Sequence, residues 1–247
     1  RDRSCNNMDS QFVNRLILPA KGKNYSGTRS TGLVWLQNKK GDSFPSQYLN
    51  KGSAKVILYC HGNGGTLGDF KNIITFYSDC LHTSIFAPEY PGYGPAEGVP
   101  DESSVNDNVV VALAFLVDEL KYKHCNIILL GYSIGTGPAI QLASNLCEQN
   151  TPPAAVVSIA GFMSVCDIVR GWKGDMFAKL LADFLDNRWD NMQKLCYVDC
   201  PILFLHGEKD NIIPFEHSQK MYAICSSKFK DLHICKQADH SRFNEVS

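Results

Sequence analysis

Apolar residues along this chain follow two alternating rhythms. Short continuous runs, of the kind buried on both faces of a parallel sheet, occupy 55–60 (KVILYC), 83–87, 127–130 (IILL), 154–159 and 201–205, with a last one at 231–235. Between them lie longer stretches with apolar residues every three to four positions, at 67–80, 101–121, 139–146 and 215–225. The second stretch carries Val109, Leu113, Leu116, Val117 and Leu120 on one stripe, with Ser103 or Ser104 expected as its cap. Strands that alternate with helices in this way predict an α/β fold, a mostly parallel sheet with helices on both faces.

Two regions depart from that rhythm. Before it, residues 12–18 and 31–37 are apolar and β-branched runs separated by Gly, Lys and Ser, and they predict an opening pair of strands. Residues 38–53, polar with Gly and Pro, are expected to form a loop. Within it, residues 161–199 break the alternation: Trp172, Met176, Phe177, Leu180, Leu181, Phe184 and Leu185 recur at helical spacing and predict an amphipathic helix in an insertion. Such a stripe either packs on the body of the protein or caps an apolar acyl pocket. The expected organisation is a single domain over 1–247 with a short helical cap at about 161–199.

Charge removes some partners from consideration. With 24 basic and 25 acidic residues well mixed, the net charge is -1, and no polybasic patch points to nucleic acid or an anionic membrane. Ten cysteines are scattered without the spacing of a metal site, and several, such as Cys60, Cys125 and Cys235, fall in apolar elements, which predicts buried free thiols. Together with the lack of a membrane-length apolar run or a signal-like start, this predicts a reducing, cytoplasmic setting, extended to the cytosolic face of a membrane if a terminus outside this segment is lipidated. The sequon Asn24-Tyr25-Ser26 points the other way, but three residues are a weak signal.

The candidate chemistry sits where strands end. After the 127–130 run comes Gly131-Tyr132-Ser133-Ile134-Gly135, a Gly-x-Ser-x-Gly pattern between strand and helix. It predicts a sharp turn with Ser133 standing exposed as a nucleophile and the Ile134 N–H aimed at a developing oxyanion. After the 55–60 run comes His61-Gly62-Asn63-Gly64-Gly65, where the Asn63 N–H is the candidate second oxyanion donor. That loop lacks the Gly-Lys-Ser/Thr ending of a phosphate loop, and His61 is expected to brace the turn rather than catalyse. The Pro88–Pro95 loop offers Tyr90 and Tyr93, either for substrate contact or for packing beneath the nucleophile turn. Asp210 follows the 201–205 run, with Glu208 as its rival acid, and His240 follows the last strand, whereas His217 and His233 fall inside a helix and a strand.

The order Ser133, Asp210, His240, each after a strand, is the one expected of the α/β-hydrolase fold. With HGNGG at 61–65, EYPGYG at 89–94, GYSIGTGPA at 131–139, CPILFLHGEKDNIIPFEHS at 200–218 and ADH at 238–240, the chain resembles that superfamily over nearly its whole length. The Ser-Ile-Gly-Thr continuation and the Tyr-Pro-Gly-Tyr-Gly loop are most similar to the α/β-hydrolase-domain 17-like branch. That resemblance implies serine hydrolases that remove palmitate from cysteines of membrane-attached proteins, although the branch's Cys-rich lipidated N-terminus and the helix after the histidine are not seen here.

The expected function is cleavage of a carboxylic ester or thioester through an acyl-enzyme, on an acylated small molecule or protein. Ser133 attacks, His240 moves the proton, Asp210 fixes the histidine tautomer, and the Asn63 and Ile134 N–H groups hold the oxyanion. No metal or organic cofactor is needed. Two alternatives remain at this point, a serine peptidase of the same fold and a catalytically silent scaffold protein.

Overall fold

The computed structural model of the protein describes residues 17–20, 32–171 and 188–241. Its strands are β1 (Leu33–Gln37), β2 (Ser43–Leu49), β3 (Val56–Cys60), β4 (Ser84–Pro88), β5 (Ile127–Tyr132), β6 (Ala155–Ile159), β7 (Ile202–Gly207) and β8 (Lys230–Cys235). They form one eight-stranded sheet in the order β1-β2-β4-β3-β5-β6-β7-β8. The β1/β2 and β2/β4 pairs are antiparallel, and every later pair is parallel.

The apolar runs become strands because both of their faces are covered. In β3, Val56, Leu58 and Cys60 join one core cluster, while Ile57 and Tyr59 join another across the sheet. Helix α1 (Leu67–Cys80) packs Leu67 and Ile74 on the second face. Helices α2 (Glu102–Ala114) and α3 (Thr136–Glu148) fill the first, together with Val165 of α4 (Val165–Gly171), Leu195 of α5 (Asn191–Leu195) and Met221 of α6 (Glu216–Ile224).

Strand order determines where the site can form. From β3 the chain crosses through α1 to β4 on one side, then returns through α2 to β5 on the other side of β3. The carboxyl ends of β3 and β5 are thus where the winding reverses, and the crevice above such a switch point is where open parallel sheets bind ligands.

Three local expectations need correction. Residues 38–53 are not simply a loop, because β2 lies within them. Pro45 and the polar Ser43, Ser46 and Gln47 hid this strand. Proline is tolerated there because Pro45 needs only its carbonyl, which accepts the Glu89 N–H at 3.0 Å. The first turn of α2 is capped by Asp101, whose carboxylate accepts from Ser104 N at 2.7 Å, while Ser104 Oγ accepts from Asp101 N at 2.9 Å. Ser104 is therefore the return half of a capping box rather than the cap itself. Helix α2 also does not run on as α-helix to residue 121: it widens into a π-turn at Phe115–Glu119, and Lys121 ends the segment at a φ of 61°. The expected strand at 12–18 lies, apart from Ile17 and Leu18, outside the described residues, and β1 pairs with β2.

The apolar stripe from Trp172 to Leu185 lies outside the described residues, as does the Asn24 sequon. The returning flank of the insertion is tied to the body: Trp189 is buried, its backbone N–H donates to Glu102 Oε1 at 2.9 Å, and its indole donates to Asn106 Oδ1 at 3.1 Å.

Leu58, wholly buried at the centre of the sheet, tests this packing. Leu58→Ala should lower unfolding free energy by about 2–5 kcal/mol in urea titrations, through lost transfer energy and a cavity. A loss below about 1 kcal/mol would mean the centre of the sheet is less tightly packed than described.

Candidate active site

The site grows from the end of β5. Ser133 takes a φ of 54°, a left-handed conformation that costs a non-glycine residue about 1–3 kcal/mol and persists only where its surroundings enforce it. The flanking glycines show what does so. A Cβ at Gly131 would lie 2.5 Å from Thr136 Cα, and one at Gly135 would run into the carbonyls of Cys60 and His61. The turn is therefore pressed against the end of β3, and Thr136 Oγ1 closes it by donating to Ser133 O at 2.7 Å.

Two loops from distant parts of the chain converge on Ser133. His240, beyond β8, places Nε2 3.0 Å from Ser133 Oγ and Nδ1 2.7 Å from Asp210 Oδ2. Asp210, beyond β7, accepts the N–H groups of Ile212 and Ile213 on Oδ1, each at 2.9 Å. Burial raises the pKa of the Asp210 carboxyl, but hydrogen bonds from His206, His240 and Ile213 overcome it and hold the group well below the usual carboxylate range. Glu208, the rival acid, is exposed. His217 is buried, with Nδ1 accepting from Met163 N at 3.2 Å, and His233 is exposed on β8. It is His240 that meets Ser133.

Ser133 itself corrects an expectation. It was expected to stand exposed, yet it is only 8% accessible. The sharp turn lifts its hydroxyl out of the sheet, but into contact with the His240 imidazole rather than open water. Ile134 is buried in the middle of the 3-10 turn Ser133–Gly135, which leads into α3.

The second oxyanion candidate, Asn63, sits in a loop fixed from below. Its side chain is fully engaged, with Nδ2 donating to Ile17 O at 2.6 Å and Oδ1 accepting from Tyr93 at 2.7 Å and from Gly64 N at 2.9 Å. Tyr90, wholly buried, donates to His61 O at 2.8 Å and stacks on the His61 ring at 3.9 Å. Of the two roles open to these tyrosines, the structure thus assigns packing and bracing.

His61 is the brace that its loop position implied. Nδ1 faces the Gly62 carbonyl at 2.9 Å, and Nε2 stands 2.9 Å from Glu89 Oε1, off the line of a well-aligned hydrogen bond, with both residues fully buried. Glu89 also accepts Leu67 N at 2.8 Å and Tyr90 N at 3.2 Å, so one carboxylate joins α1, β4 and the His61 loop.

Glu89, Tyr132 and His206 were not singled out from sequence. Tyr132 donates to the His240 carbonyl and packs its ring 5.8 Å from that of His240, which holds the histidine loop to the Ser133 turn. Burial, with the charge of Asp210, pushes its phenol up to about 12, so it remains a donor. The available signal was a polar side chain at the end of each apolar strand, where only a tertiary partner can satisfy it. The thiol expectation holds in part. Cys60, Cys147, Cys166, Cys200 and Cys225 are buried and in no disulfide, but Cys125 is exposed in a turn before β5 and Cys235 is half-buried.

A model described as serine hydrolase (FSH1) matches residues 96–241, more than half of the chain and the stretch that carries Ser133, Asp210 and His240. The chain belongs to this serine hydrolase family. It is 26% identical over 204 residues to a lysophosphatidylserine lipase ABHD12 of Danio rerio, covering 78% of this chain and 53% of that protein. The Mus musculus protein of the same name is 27% identical over 217 residues, with 81% and 54% covered. The chain spans about half the length of these curated relatives. Among solved structures, an alpha-beta hydrolase of Vibrio vulnificus superposes with a TM-score of 0.78 at 18% identity, covering 93% of this chain and 87% of that one. An esterase of Pyrococcus furiosus gives 0.69 at 14% identity, with 91% of each chain covered. The fold of this serine hydrolase is the α/β-hydrolase fold.

Two measurements check the site's electrostatics. Glu89→Ala strands His61 and two backbone donors in the interior and should lower stability by about 3–5 kcal/mol, read by urea unfolding. For Asp210 the folded pKa is depressed, so its stabilisation is complete above the unfolded value of about 3.9 and is lost as pH falls below it. The melting-temperature difference between wild type and Asp210→Asn should therefore shift against wild type from pH 5 to pH 3, and a constant difference would contradict the depressed carboxyl.

Proposed function

We propose that this serine hydrolase cleaves carboxylic esters or thioesters of single acyl chains through a covalent acyl-enzyme, with Ser133 as nucleophile, His240 as general base and acid, and Asp210 as the residue that orients and stabilises His240. The observation that carries the reading is the hydrogen-bonded line Asp210–His240–Ser133, at 2.7 and 3.0 Å, above the switch point of the sheet. Ser133 Oγ attacks the carbonyl carbon as its proton passes to His240 Nε2. The alcohol or thiol leaves with that proton, and water, deprotonated by the same nitrogen, releases the acid. The oxyanion is assigned to the backbone N–H groups of Ile134 and Asn63, the latter because the Asn63 side chain is already committed.

The apolar stripe from Trp172 to Leu185, read from sequence alone, supplies the side-chain chemistry that an acyl pocket would need, and an acylated substrate at the cytosolic face of a membrane is part of the same proposal. Two leaving groups fit this chemistry. Resemblance to the α/β-hydrolase-domain 17-like branch supports a palmitoylated cysteine, whereas relatives named lysophosphatidylserine lipase support a lysolipid ester. Peptidase activity and a silent scaffold have no such support, since the curated relatives carry a lipase name and the Ser133 line is intact.

The test compares kcat/KM for p-nitrophenyl esters of increasing length, acyl thioesters, lysophospholipids and a peptide anilide, for wild type and Ser133→Ala. Each buried methylene should add up to about 0.8 kcal/mol, nearly fourfold in kcat/KM, and Ser133→Ala should abolish turnover while changing stability by no more than about 1 kcal/mol. Preference for acetyl over octanoyl, or residual turnover by Ser133→Ala, would defeat the proposal.

A further inference from the structure

His206 lies at the end of β7, fully buried and four residues before Asp210. Its Nε2 is 2.8 Å from Ile213 O and 3.3 Å from Asp210 Oδ2, and its Nδ1 is 2.6 Å from Ser218 Oγ on α6. A carbonyl can only accept, so Nε2 carries a hydrogen, and the Ser218 hydroxyl is in place to donate to Nδ1. The same Asp210 oxygen takes the Nδ1–H of His240 at 2.7 Å. That oxygen therefore lies 2.7 Å from Nδ1 of His240 and 3.3 Å from Nε2 of His206, whose N–H is directed first at Ile213 O and only secondarily at Asp210, and the acyl-enzyme mechanism uses only the His240 contact.

We propose that His206 is a positioning residue that shares Oδ2 of Asp210 with His240, limiting how much negative charge the carboxylate presents to the catalytic base. The inference rests on the Ser133–His240–Asp210 reading and deepens it. Oδ1 is already anchored by the N–H groups of Ile212 and Ile213, so Asp210 keeps its place without His206, and what changes is the charge at Oδ2. The titratable groups around the ring, among the described residues, are Asp210, His240 and, on α6, His217, which itself faces Asp167, Glu216 and Lys220. With the His206 N–H removed, Oδ2 turns its full charge toward His240 and stabilises the imidazolium, so the base takes up a proton at higher pH.

Three variants and one wild-type measurement test this. His206→Phe keeps a ring of similar size without a donor, and the acid limb of its kcat/KM profile should move up by about half a pH unit, a roughly threefold loss of rate on the acid side. His206→Gln returns an N–H near the position of Nε2 and should restore the wild-type limb. A purely structural histidine would lower the melting temperature of both variants and move neither limb. An unmoved or lowered limb in His206→Phe overturns the proposal. Should that variant fail to fold, long-range ¹H–¹⁵N spectra of wild type labelled at histidine decide it: Nε2 of His206 should bear a hydrogen at neutral pH, and a bare Nε2 overturns the sharing. Ser133→Ala separates the two layers, since a still-active alanine variant refutes the acyl-enzyme reading. An inactive one combined with an unmoved His206→Phe limb refutes the sharing alone.

Discussion

The structure depends on one strained residue. Ser133 holds a left-handed backbone between β5 and α3, and the turn is tight enough that the position of Gly135 touches the carbonyls ending β3. This contact fixes the height of Ser133 relative to the His61–Gly65 loop, because the same backbone that leaves β3 becomes that loop. The strain is sustained by the sheet: β3 and β5 are paired from Val56↔Ile127 to Cys60↔Gly131, directly up to the turn. A buried pairing of this length makes the local penalty of about 1–3 kcal/mol affordable within the whole fold.

Around that turn, polar groups are buried in a definite order. Asp210 and Glu89 are carboxylates with side chains fully out of solvent, each beside a histidine, and each is also satisfied by two backbone N–H groups. Glu89 ties the His61–Gly65 loop to α1 and β4, while Asp210 ties His240 to the end of β7. Tyr93 on Asn63 and Tyr132 on His240 complete the tie between loops that lie far apart in sequence. Removing one partner from such a network leaves an uncompensated buried group, which is why its members matter more than their small number suggests.

Much of this was legible in the chain. The apolar runs became β3 through β8 within a residue or two, helix α1 has the predicted bounds, and the order Ser133, Asp210, His240 led to residues that the structure joins. What escaped reading depends on tertiary contacts. Pro45 hid β2 because a proline's tolerance within a sheet depends on which neighbour needs its carbonyl. Asp101 rather than Ser103 or Ser104 caps α2, since the cap is decided by where the chain turns in, not by residue preference alone. His206 and Glu89 looked like ordinary members of strand-end motifs, and only folding brings them to Asp210 and His61.

The account's central claim is that the acyl group passes through Ser133. Rapid acid quench during turnover of an activated octanoyl ester, followed by intact mass and peptide mapping, tests it most directly. The prediction is one octanoyl group per chain, on the peptide that contains Ser133, appearing within the first turnover and lost as product forms. Acylation of another residue in step with turnover, cysteine thiols included, with the Ser133 peptide unmodified, would contradict the claim.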